Sequence, residues 1–393
     1  MNAARLLSLL LFVAGAALAT GWPLLFNLIY LLVGLLALAW IWSRLGLAWL
    51  DVHRQVRSDR LQVGDDALER IWVRNRGPLP KLWVAVRDGS TLPGREPGRV
   101  VALAPGGEAS WAVGTRCTRR GEYRLGPIEL RSSDPFGCFA VRRRLPATRR
   151  LLVLPATVPL PGFDLPSRDL PGGARTRASG SQSSAQVAGV RDYAAGDPVN
   201  RIHWPSTLRA QRLVVKELEH EPSADVWIAL DLHAGAQRGE GLESTEEYGV
   251  TVAASIGRHF LAAGRTVALA MQGDRHVVLQ PDRGDRQLQH LLEALAVARA
   301  NGDAPFDELL RSDALRPDRN AALIAITPSV DPAWPEALRL ATVRGAHPAA
   351  VLVEASTFGG RESSLYVISQ LAAARVPTYL VKQGEPIGEA FAG

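Results

Sequence analysis

Residues 189–219 read GVRDYAAGDPVNRIHWPSTLRAQRLVVKELE, and the apolar run VWIALD follows at 226–231, ending in an acid. The first stretch packs Arg191, Asp192, Tyr193, Asp197, Arg201, His203 and Trp204 into fourteen residues, with Gly196 and Pro198 setting a turn. A solvated loop rarely carries a Tyr, a Trp and a His beside two Asp-Arg combinations, and a core strand would not carry so much charge. The expectation is a polar network held against the body, with Trp204 as its apolar anchor and Asp197 paired with Arg201. Such a network either braces the fold or forms a partner surface, and the residues alone leave both open.

Downstream, the rhythm is strand, helix, strand. Ser244 to Ala263 reads as a helix, with Ser244 and Glu247 at capping-box spacing and Gly264 at its end. Val267–Met271 reads as a strand with His276–Leu279 as a hairpin partner. A helix follows at Gln287–Ala300, then strands at Ala321–Ile326, Ala349–Val353 and Thr378–Val381, with helices at Pro335–Val343 and Ser363–Ala374. This alternation predicts a mostly parallel sheet with helices on both faces. Ligands in such sheets bind beyond the carboxyl ends of the strands. That places attention on Asp231–Gly235 and Thr327–Ser329.

Upstream, 161–188 is a Pro/Gly/Ser-rich linker, and 51–160 carries short alternating runs such as Arg70-Ile71-Trp72-Val73-Arg74, punctuated by turn residues. That spacing predicts an antiparallel β-sandwich. Between 51 and 150 there are 20 Lys/Arg against 11 Asp/Glu, whereas residues 151–393 hold 23 against 28. The basic excess suits either anionic lipid or a solvated set of strand faces. The arginines are scattered, which argues against nucleic acid. Cys117 and Cys138 are too few for a disulfide framework or zinc site, and both read as reduced, packed thiols.

From Leu6 to Trp42 no residue is charged. Gly21-Trp22-Pro23 breaks the run into apolar helices at about 6–22 and 24–42, each near the roughly 20 residues that cross a bilayer. The reading is a transmembrane helical hairpin over 1–50. Arg5 and Ala17-Leu18-Ala19 also fit a secretory signal, so a cleaved signal over 1–19 stays open. Arg5 flanks one end and Arg44, Arg54 and Arg57 the other, which predicts a multi-pass protein of the inner (plasma) membrane with a cytoplasmic body.

The motif Arg191-Asp192-Tyr193, Gly196-Asp197, Arg201-Ile202-His203-Trp204 and Leu213-Val214-Val215-Lys216-Glu217 resembles that of membrane-anchored bacterial proteins carrying the domain of unknown function 58. Arg120–Pro127 and Ser133–Gly137 are similar to the same family. The resemblance implies a von Willebrand factor type A-like α/β domain over 189–393. It also implies a non-enzymatic adaptor or assembly factor working with a MoxR-type AAA+ ATPase, with no cofactor. Such domains hold Mg²⁺ at an Asp-x-Ser-x-Ser loop. Here the loop is Asp231-Leu232-His233-Ala234-Gly235, so Asp231 is the one retained residue of a degenerate site, and no metal is expected. Two alternatives remain: a hydrolase using His203 or His233 with Asp197 or Asp231, and a lipid-surface structural protein.

Overall fold

The computed structural model describes residues 3–95, 98–146, 148–163, 187–194, 202–218, 225–318 and 320–392. The chain divides into two compact units, residues 1–156 with 292–297, and residues 157–291 with 298–393.

The first unit begins with two apolar helices, α1 (Ala3–Thr20) and α2 (Pro23–Gly46), separated by Gly21 and Trp22. Pro23 opens α2, where its missing N–H is not needed. The 24 residues of α2 span about 36 Å at 1.5 Å per residue. α2 is long and apolar enough to cross a membrane, whereas α1 contributes a shorter apolar stretch, Arg5–Thr20. Among the described residues α2 is the one helix that meets that length.

Ten strands follow: β1 (Leu50–Val56), β2 (Arg60–Gln62), β3 (Asp66–Asn75), β4 (Lys81–Asp88), β5 (Gly98–Leu103), β6 (Glu108–Arg116), β7 (Gly121–Leu125), β8 (Ile128–Ser133), β9 (Ala140–Leu145) and β10 (Arg149–Leu154). They form antiparallel sheets β1-β3-β6 and β5-β4-β8-β9, and a smaller sheet β2-β10-β7 in which β2 and β10 run parallel. Alternate residues of β3, β4 and β8 are buried, as period-2 patterning requires. Ile71 and Val73 from one sheet and Val84, Val86 and Leu130 from the other share an apolar core with Leu47 and Leu50. Cys117 lies fully buried in a second cluster, and burial pushes its thiol up; Cys138 is partly exposed, so the packed-thiol expectation describes Cys117 alone.

The core of this unit also holds four charges. Arg54 lies 3.3 Å from Glu69 and also pairs with Asp88, while Arg95 lies 2.5 Å from Asp88 and donates to Glu69. All four side chains are at least nine-tenths buried. Two guanidiniums facing two carboxylates neutralise the cluster, which is what makes its burial tolerable. Burial by itself would raise the Asp88 carboxyl. The Arg54 and Ser90 hydrogen bonds and the two guanidinium charges outweigh that and hold it below the ordinary carboxylate value.

In the second unit, β11 (Val187–Asp192) and α3 (Trp204–Ala210) precede β12 (Val214–Leu218), which pairs antiparallel with β11. The main sheet contains β13 (Val226–Asp231), β16 (Val267–Gln272), β17 (His276–Asp282), β18 (Ala322–Thr327), β19 (His347–Val353) and β20 (Thr378–Val381). Its spatial order is β17-β16-β13-β18-β19-β20, parallel except for the β16–β17 hairpin. β13 and β18 are buried at every position, as central strands covered on both faces must be.

A two-residue ladder of β14 (Gly239–Glu240) and β15 (Glu243–Ser244) leads into α4 (Thr245–Ala262). The Ser244 side chain caps α4 by accepting from the Glu247 amide. α5 (Asp285–Val297), of which residues 285–291 belong to this unit, α6 (Phe306–Arg311), α7 (Ala333–Val343) and α8 (Leu365–Ala373) follow. Phe306, Trp334, Leu338 and Leu371 pack with Trp227 and Ala229, placing α6, α7 and α8 against one side of β13. The opposite side, with Leu230, meets α4 at Gly249, and a Cβ on Gly257 would fall 2.7 Å from Leu291 of α5. The glycines therefore set how closely α4 approaches the sheet and α5.

Replacing Asp88 by Asn leaves two buried guanidiniums with one carboxylate, at an expected cost of about 3–5 kcal/mol near neutral pH. Because the folded-state carboxyl titrates below its unfolded value, its stabilisation is present above the unfolded pKa and lost as pH falls through the folded one. The melting-temperature gap between Asp88→Asn and the parent should therefore narrow in acid. A gap that is constant from pH 7 to pH 3 would contradict this account.

Candidate functional site

Counted in chain order, the six strands of the main sheet lie 3-2-1-4-5-6, so the order reverses between β13 and β18. At that switch point the loops leaving two neighbouring strands diverge and open a crevice. Here it is a cleft of about 460 Å³ lined from β13 by His233 and Arg238, from β18 by Ser329 and Asp331, and from α6 and α7 by Phe306 and Trp334.

Below the cleft, Asp231 closes β13 and Thr327 closes β18. Thr327 Oγ1 donates to Asp231 Oδ2 at 2.5 Å, and the His233 amide donates to Asp231 Oδ1 at 2.9 Å. Asp231 is 4% exposed. Burial raises its carboxyl above the ordinary value, and the hydrogen bonds from Thr327 and His233 recover part of that cost. Thr327 Oγ1 in turn accepts from the Ser329 amide at 2.8 Å, and Trp334 Nε1 donates to the Ser329 carbonyl at 3.0 Å. At the end of β19, Glu354 accepts from Ser356 and Ser364. The ends of β13, β18 and β19 thus each carry a polar group satisfied from within the unit.

This arrangement does not fit a Mg²⁺ site. A hard cation takes several oxygens in near-octahedral array. Asp231 supplies one buried carboxylate, with both oxygens already engaged, and His233 and Gly235 stand where hydroxyls would be needed. A Cβ on Gly235 would fall 2.8 Å from His233 Cε1, so the imidazole fills the space beside that glycine. Among the described residues no group of three His, Cys, Asp or Glu is disposed to hold a metal.

The family-motif residues lie elsewhere in the unit. Arg191 pairs in register with Val215, and Asp192 with Val214. Asp192 forms an exposed ion pair with Arg212 at 3.0 Å, and the Tyr193 amide donates to the Leu213 carbonyl. His203 precedes α3, and its Nδ1 lies 2.7 Å from Ser206 Oγ. The structure corrects the reading of Trp204. It opens α3 at 58% exposure, with Leu208 one turn on at 78% and Leu213 at 44%. What anchors the segment instead is Ile202, Val214 and Val215, all buried and bridged. The signal for α3 was Trp204-Pro205 followed by Ser206 and Thr207, a proline in the first helical turn. Gly196, Asp197 and Arg201, with their expected ion pair, lie outside the described residues.

Residues 189–354 match the family described as "Protein of unknown function DUF58". Over that segment the chain is similar to the DUF58 family. An uncharacterized Bacillus subtilis protein, YeaD, is 23% identical over 313 residues, covering 77% of this chain and 76% of its own length. Among solved structures, the pilus adhesin SpaC of Lactobacillus rhamnosus GG is similar at a TM-score of 0.32 and 10% identity, over 44% of this chain and 30% of its own. A CARDB domain from Pyrococcus furiosus gives 0.21 at 21% identity, over 26% of this chain and 91% of its own. At those scores the likenesses carry no argument about fold. The DUF58 match spans the motif segment, the switch-point cleft and the strands up to β19.

An aspartate raised on folding binds its proton more tightly in the native state, so its contribution to stability falls as pH rises above the unfolded value. Asp231→Asn is therefore expected to melt at or above the parent at pH 7, with the difference closing toward pH 4. Millimolar Mg²⁺ should leave both melting temperatures unchanged. A rise with Mg²⁺ in the parent, absent in Asp231→Asn, would overturn the account of this carboxylate.

Proposed function

We propose that this protein is a non-enzymatic, membrane-anchored adaptor or assembly factor whose second unit docks a protein partner. The observation that carries the reading is the exposed apolar pair Trp204 and Leu208 on α3, with Leu213 also exposed further along the motif segment. Trp204 and Leu208 lie four residues apart on α3 and share a face. Exposed clusters of this kind mark interaction sites, and tryptophan is a frequent anchor of them. The resemblance to proteins linked with MoxR-type AAA+ ATPases supplies the candidate partner. The mostly parallel sheet, with its 3-2-1-4-5-6 order, supports a von Willebrand factor type A-like reading of this unit with its metal loop lost.

A hydrolase is the second reading, and the His203–Ser206 contact is what favours it. The two residues sit three apart at the start of a single short helix, the spacing of a local cap, and this supports a structural role for the pair.

The length and composition of α2 support anchoring in the plasma membrane. The hairpin reading adds α1 as a second span, with the body cytoplasmic by the distribution of arginines. External protease added to spheroplasts should leave residues beyond 50 intact; digestion would place the body on the other side.

The adaptor reading is tested by affinity purification from a strain with a MoxR-type ATPase. Trp204→Ala, an exposed change expected to leave the stability within about 0.5 kcal/mol of the parent, should lose that ATPase. Equal recovery with the parent and the variant would reject this surface.

A further inference from the structure

Where α2 meets the β-sheets of the first unit, a hollow of about 270 Å³ opens between the last helical turn and the start of β4. Its walls include Trp42 and Leu45 of α2, Leu82 and Trp83 of β4, and Pro135 after β8. A register shift between Lys81 and Val84 lets consecutive residues of β4 both face outward, and Leu82 and Trp83 are 60% and 44% exposed. Phe136, 48% exposed, adds a third apolar side chain nearby in sequence to the Pro135 wall. The rim is thus apolar and aromatic, and it adjoins the helix that is long enough to cross a membrane.

Lys81 lines the same hollow and is 3% exposed. Its Nζ donates to the Leu45 carbonyl at 2.5 Å and stands 5.4 Å from the Trp49 ring centroid. Among the described residues no carboxylate forms an ion pair with it. Asp134, which also lines the hollow, accepts instead from the Phe136 amide at 2.9 Å and the Phe139 amide at 2.5 Å. An ammonium carries three N–H donors, so Lys81 retains capacity toward the hollow. A buried cation without a counter-charge is costly. Burial holds its ammonium below the ordinary lysine value, as that cost requires. A doubly satisfied interior lysine would need no ligand; this one lacks an anion.

We propose that this hollow binds an anionic phospholipid, whose phosphate is received by Lys81 and whose acyl chain lies along Trp42, Leu82 and Trp83. The inference rests on the anchoring reading above. The adjoining outer face of β8 and β9 carries Arg131, Arg142 and Arg144 against the one carboxylate of Glu129, which pairs with Arg131, and the remaining positive charge favours net negative headgroups. On the anchoring reading the exposed aromatics adjoin the end of α2, and indole rings partition between headgroups and chains.

The test uses the full chain purified in non-ionic detergent, offered equimolar phosphatidylglycerol and phosphatidylcholine, and read by native mass spectrometry. The expected result is one retained phosphatidylglycerol per chain, preferred by about tenfold (about 1.4 kcal/mol), because the quaternary ammonium of phosphatidylcholine offsets its phosphate charge beside Lys81. Lys81→Met should bring the two lipids to parity and Lys81→Arg should keep the preference. Trp83→Ser, a change at an exposed wall, should weaken retention of both lipids without altering the preference, and it reads out the site should Lys81→Met fail to fold. Parity in the parent, undiminished preference in folded Lys81→Met, or unchanged retention in Trp83→Ser would overturn the site. Displacement of the lipid by millimolar inorganic phosphate would reassign it to a free anion and overturn the lipid assignment. A chain found in the soluble fraction after detergent-free lysis would reject the anchoring reading and this proposal together; a membrane-bound chain with no preference would reject the site alone.

Discussion

The hydrogen bond from Thr327 to Asp231 joins two parallel strands at the point where the order of the sheet reverses. Parallel strands cannot be tied by a short turn, so their relative register depends on the ladder and on whatever closes their ends. Here the closure is a buried carboxylate held by a hydroxyl on one side and a backbone amide on the other. The loops that leave β13 and β18, and with them both walls of the cleft, start from this fixed pair. Each oxygen of this carboxylate already accepts one hydrogen bond from within the unit, so its orientation is fixed by the two strands it joins.

The first unit solves a different problem with charge. Two sheets share an apolar core, yet Arg54, Glu69, Asp88 and Arg95 are buried within the unit. Such a group adds little net stability over an apolar filling, but it punishes any register that separates its members. Strands with period-2 patterning slip most readily by two residues, a shift that keeps the apolar face inward. A four-charge cluster drawn from β1, β3, β4 and the Gly94–Arg95 turn region forbids that slip.

Much of this was readable in the sequence, for reasons that differ by element. Val226–Asp231 and Thr378–Val381 are uninterrupted apolar runs, and the cap at Ser244 announces α4, so local patterning found them. The parallel β2–β10 pairing escaped because three-residue strands carry too little pattern to show a direction. The six-residue α6 escaped because its apolar positions, Phe306, Leu309 and Leu310, fit a loop packed on the sheet equally well. Trp204 was misread because residue type reports what a side chain prefers, whereas its exposure depends on what the unit leaves uncovered. The buried arginines were invisible since ion partners 7 to 34 positions apart have no local signature. Lys81 did leave a trace: it is the lone charge opening the run Lys81-Leu82-Trp83-Val84-Ala85-Val86.

Between the last residue of α2 and the first of β1 stand only Leu47, Ala48 and Trp49. Leu47 and Leu50 are already in the apolar core, and a Cβ at Gly46 would fall 2.9 Å from Ser132 Oγ, so helix and sheet touch with nothing between them. A joint this short and this packed has no swivel. Any roll or tilt of α2 about its own axis would be handed on to the strands at full amplitude, as a key turns with its shaft. In mechanical terms the helix is a handle on the β-sheets of its unit, and their heading is set by how that handle is held.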